Sequence, residues 1–102
     1  MKEIEIVCDQ ETMKILAETK PPEGIKISTK VYLKKSIGNG PQLLSIIYTL
    51  GSNVVAGILA SFIYNKLTSK KPEYIRINNI EIEFNEGEIS RIISNELEIN
   101  SG

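Results

Sequence analysis

Histidine and tryptophan are absent from this 102-residue chain, and cysteine occurs once, at Cys8. Without histidine the sequence lacks the usual acid–base group at neutral pH and the commonest ligand of transition metals. A single cysteine excludes an internal disulfide and a thiolate zinc cluster. Charge of either sign is barely in excess: 12 Lys and Arg against 13 Asp and Glu leave a formal net charge of −1. No basic surplus exists to neutralise a run of phosphates, so binding of nucleic acid through bulk charge is not expected, although a local patch remains open. The opening MKEIEIVCD carries acids where a signal peptide has a positive run and an apolar core, which predicts a cytoplasmic protein. No catalytic, cofactor-binding or metal-binding residue is assigned, and the expectation is a chain that is not an enzyme.

Charge is also missing locally. From Ser36 to Asn65 there is no Asp, Glu, Lys or Arg. The length suits one domain, residues 1–102, built on a single core. Before the uncharged stretch, Ile4, Ile6 and Cys8 alternate with Glu3 and Glu5, the pattern of a half-buried strand. Asp9 can cap a short helix with Met13, Leu16 and Ala17 on one side, and Pro21 and Pro22 end it. A second strand puts Ile25, Ile27, Val31 and Leu33 on one face, with Lys26, Ser28, Lys30, Tyr32 and Lys34 on the other.

Pro41 suits the first turn of a helix, and a long apolar helix is expected from about Gln42 to Ser69, closing in Lys66, Lys70 and Lys71. After Pro72, EYIRINNIEIEF reads as a hairpin turning at Asn78-Asn79, with Arg76 opposite Glu81, Ile75 opposite Ile82 and Ile77 opposite Ile80. A last helix is capped by Asn85, has Glu88 at the capping-box position, and carries Ile89, Ile92, Ile93 and Leu97 as its stripe. The expected fold is therefore α+β and two-layered. A three- to four-stranded sheet in the order β-α-β-α-β-β-α packs on one long apolar helix, with two shorter helices.

The stretch from Leu43 to Tyr64 is long enough to cross a bilayer, so a small single-span, membrane-associated protein is the alternative. Against it, the amphipathic strands need an apolar partner and this helix is the only sizeable one. We read it as a core helix. Its remaining side is small and neutral, with Ser52, Ala56 and Ala60 in a row that would let another helix approach closely. Those three residues are the candidate interface, for a homo-oligomer or a larger protein partner.

Other constellations have plainer explanations. Cys8 falls on the inward face of its strand, with no histidine to activate it. Glu3 with Glu5, and Glu81 with Glu83, alternate on solvated faces as solubilising charges do. The GNGP loop, Gly38 to Pro41, could present the amides of Gly38 and Gly40 to an anion beside Lys34 and Lys35. It lacks the Lys-Ser/Thr ending of a phosphate-binding loop. Lys26, Lys30 and Lys34 could extend such a site into an anion- or nucleic-acid-binding stripe. The alternative is that they pair across the sheet with Glu3, Glu5, Glu81 or Glu83.

SIGNGPQLLSIIYTLGSNVVAGILASFIYNKL followed by YIRINNIEIEF resembles the effector-associated constant component family, small bacterial domains found beside conflict and defence effectors. The resemblance implies a non-enzymatic adaptor of a prokaryotic immunity system that works by self-association or by docking onto a larger effector. A phage-encoded inhibitor of such a system shares the same features.

Overall fold

A computed structural model describes residues 2–34 and 43–100, for residues 29–34, 99 and 100 the backbone only. In chain order the elements are β1 (Lys2–Asp9), α1 (Gln10–Glu18), β2 (Ile25–Lys34), β3 (Leu43–Leu50), α2 (Ala56–Leu67), β4 (Ile75–Ile77), β5 (Ile80–Glu81) and α3 (Glu86–Asn100). The α+β class is as expected, but the described residues form a sheet of five strands, in the order β2-β3-β1-β4-β5.

The added strand is β3, and it corrects the long helix expected from Gln42 to Ser69. Leu43–Leu50 is extended, and only Ala56–Leu67 is helical. LLSIIYTL lies between β1 and β2 and buries side chains on both of its faces: Ile46, Tyr48 and Leu50 on one, Leu43 and Ser45 on the other. A strand buried on both faces reads as a continuous apolar run, which periodicity alone cannot tell from a buried helix. A turn at Ser52 and Asn53 separates it from α2.

All neighbouring strands are antiparallel. It follows that β1 and β2 run parallel with β3 between them, and β3 and β4 run parallel with β1 between them. Each parallel pair is joined through a helix, α1 or α2. This interleaving of two split β-α-β units is the ferredoxin-like topology, here extended by β5 and α3. Many unrelated activities share that topology, so it does not assign one.

One core lies between the sheet and the three described helices. Ile4, Ile6 and Cys8 of β1 meet Met13 and Leu16 of α1, Leu59, Ile63 and Leu67 of α2, and Ile89 and Ile93 of α3. Thr12, not Ala17, completes the buried side of α1; Ala17 is exposed. Asp9 caps α1 by accepting from the Thr12 N–H at 3.3 Å. Its other oxygen accepts from the Glu73 N–H at 3.2 Å, tying the start of α1 to the entry of β4.

The sheet face away from the helices is polar where Glu3 and Lys26 flank Thr49, yet Val7, Leu43 and Ser45 are buried on it. The expectation of one uniformly solvated face holds only in part. The Ser45 hydroxyl remains satisfied, donating to Glu5 Oε2 at 2.8 Å.

At the other edge the hairpin forms in the expected register, with Arg76 opposite Glu81 and Ile77 opposite Ile80. Asn78 and Asn79 have φ of 49° and 70°, as the tight two-residue turn requires. Ile80 is nevertheless exposed while Ile77 is buried, because β5 is the outermost strand. Asn85 caps α3, accepting from the Glu88 N–H at 2.7 Å. The Glu88 carboxylate turns to Arg91 at 2.8 Å, so the capping box is made on one side.

Candidate functional site

The helix runs only from Ala56 to Leu67, and the side it turns to the sheet decides which residues face outward. With about 3.6 residues per turn, Leu59, Ala60, Phe62, Ile63 and Leu67 fall on the inner side, and all are buried. Ala60 therefore belongs to the chain's own core. Ala56 is half-buried against that core, and Ser52 lies in the preceding turn. The premise that Ser52, Ala56 and Ala60 form one outward helical row is thus corrected: β3 ends at Leu50, so no helix exists at Ser52 to continue it.

A neutral outward side does exist, built from other residues. Gly57, Ile58 and Asn65 are exposed and Ser61 is half-buried. The Asn65 amide donates to the Ser61 hydroxyl at 3.2 Å, one turn apart on this face. Val55 just ahead of the helix is 63% exposed and Ile58 is 41% exposed. With Pro22 from the α1–β2 connection and the edge of Phe62, these residues line an open groove of about 510 Å³. Taking the apolar stripe from Ala56–Leu67 alone, without the LLSIIYTL run, would have found the face. The missing signal was the turn that divides the two.

The electrostatics of the groove are one-sided. Lys66 is its one charged lining residue among those described. Val55 provides no side-chain cap and the first turn of α2 contains no acid, so neither offers an anionic side chain to the positive end of the helix dipole. The neighbouring Lys70 is engaged elsewhere, with Glu11 at 2.8 Å, and that carboxylate holds its ammonium pKa above the ordinary value.

The lysine row belongs to a sheet edge. Lys26, Lys30 and Lys34 lie along edge strand β2, whose register with β3 slips twice, between Ile27 and Thr29 and between Thr29 and Tyr32. Lys26 is opposite Thr49 and Lys34 opposite Leu43, with β3 standing between β2 and the β1 glutamates. Glu81 is on β5 at the far edge, so β2 and β5 are not neighbouring strands. Lys35, Gly38, Gly40 and the loop to Pro41 lie outside the described residues.

Cys8 is fully buried, and burial pushes its thiol up to about 12, against the milder opposing effect of a hydrogen bond to Thr12. That is the opposite of what an attacking thiolate needs. Among the described residues no three His, Cys, Asp or Glu side chains gather where they could hold a metal ion. No helix among them is long and apolar enough to cross a membrane. No protein-family model, curated protein or solved structure matches the chain.

Proposed function

We propose that this chain is a non-catalytic interaction domain, an adaptor or inhibitor in a prokaryotic defence or counter-defence system. It works by docking onto a larger protein or a second copy of itself. The observation that carries the reading is the outer face of α2. A helix that packs one side on a sheet and meets water on the other ordinarily carries Lys or Glu outward. Here the outward positions from Gly57 to Asn65 have no charge, and Val55 and Ile58 are exposed beside them. The resemblance to the effector-associated constant component family supports the defence setting, and the tightly held Cys8 proton argues against thiol catalysis.

The experiment is a pull-down of the tagged chain from its native host with mass spectrometry, alongside light scattering of the purified protein. A stoichiometric partner or a defined oligomer is expected. A chain that stays monomeric and captures nothing above background in its host would sink the reading.

A further inference from the structure

The groove on α2 limits the kind of partner it suits, an inference that rests on the interaction reading and narrows it. We propose that it receives a short apolar segment of a different protein, carrying at least one carboxylate that pairs with Lys66. From Val55 to Lys66 the face runs about 17 Å at 1.5 Å per residue, room for roughly three helical turns or five extended residues. Val55 and Ile58 supply the apolar contact. Gly57 supplies closeness, since a Cβ built there meets nothing within 4 Å, and a partner backbone can occupy that space.

Charge complementarity selects the chemistry. The chain has 13 acids, yet no carboxylate is among the described groove residues. Lys66 makes no ion pair with any described residue, so its charge is available to a partner. An acid near Lys66, or near the uncapped start of α2, would meet favourable potential at either end. A second copy meets these needs less well. Two-fold pairing of this groove with itself would join two surfaces whose only described charge is positive.

Selection of displayed random short peptides against the full chain tests the proposal, followed by titration of the selected peptides in solution. Enriched sequences should combine apolar residues with Asp or Glu. Their binding should weaken by about tenfold or more with Ile58→Asp, the size expected of a central contact. It should weaken less, and in a salt-dependent way, with Lys66→Glu, and recover when the peptide acid is exchanged for lysine. Both positions are exposed, and circular dichroism checks that each variant is folded.

Failure to enrich any binder, enrichment of basic or charge-indifferent peptides, or binding unaffected by either substitution overturns the proposal. So does a wild-type dimer that Ile58→Asp dissociates, because the occupant is then a second copy. A host partner retained by Ile58→Asp leaves the interaction function standing and removes it from this groove.

Discussion

Asn78 is bonded to Glu5 through both its backbone and its side chain. Its N–H donates to the Glu5 carbonyl at 3.0 Å, and its Oδ1 accepts from the Glu5 N–H at 2.8 Å. Its Nδ2 donates to Glu96 Oε1 at 3.0 Å, so one turn residue connects β1, the β4–β5 hairpin and α3. The amide side chain continues the β1 ladder where β4 has ended.

Asn78 and its neighbour should therefore respond differently to glycine. Both have positive φ, which glycine adopts freely. Asn78→Gly keeps the turn but strands the Glu5 N–H, and we expect a loss of about 1–3 kcal/mol in urea unfolding. At Asn79, exposed and held by no such bonds, glycine relieves the backbone and should be neutral or stabilising by up to about 1 kcal/mol. Equal effects at the two positions would mean that the side-chain bridge contributes nothing.

Gly24 anchors the opposite edge. Its φ is +88°, and a Cβ there would come within 2.6 Å of Val54 Cγ2. Its carbonyl accepts from the Gly51 N–H at 2.8 Å, joining the start of β2 to the end of β3. Gly24→Ala should cost about 1–3 kcal/mol from backbone strain and the clash together. Combining it with Val54→Ala should recover only part of the loss in a double-mutant cycle, because the strain at φ remains.

The pH dependence should show Cys8. Its pKa is raised from 9.0 unfolded to about 12 folded, chiefly by burial. Above pH 9 the unfolded chain releases this proton while the folded chain keeps it, so the folded state binds more protons and stability falls as pH rises. This contribution is complete below about pH 9 and is lost progressively toward pH 12. Cys8→Ala should be less stable at neutral pH because of the cavity, yet show a shallower decline across that window. Parallel curves for the two proteins would contradict the burial assignment.

What the sequence disclosed follows the strength of its local signals. Alternation in EIEIVC, the Asn85 cap and the Asn78-Asn79 turn each have a single physical reading, and all three recur in the structure. LLSIIYTL alternates only weakly, because Leu43 and Ser45 are buried on its second face as well as Ile46, Tyr48 and Leu50 on its first, so its strand identity depends on β1 and β2 lying either side of it. The candidate site inherited that error. A neutral outward helix face was legible in the missing charge, but its members follow from the stripe that meets the sheet. Leu59, Ile63 and Leu67 turn inward and take Ala60 with them, which leaves Gly57, Ser61 and Asn65 outside in place of Ser52, Ala56 and Ala60.

Gly57 separates stability from function. It lies in an exposed part of α2 where an added Cβ has open space and no unusual φ. Gly57 is the second residue of α2, where alanine gains less over glycine than the roughly 0.5–1 kcal/mol of a helix interior, so Gly57→Ala should raise the melting temperature of the isolated chain slightly. Nothing in its own fold explains why glycine stands there. If a partner approaches α2 closely, the added methyl intrudes on that contact and binding weakens as stability rises, the trade-off expected where a surface residue serves function. Thermal unfolding and a partner-binding titration on the same preparations measure both quantities. A variant that is more stable and binds its partner as well as the wild type would show that Gly57 lies outside the interface.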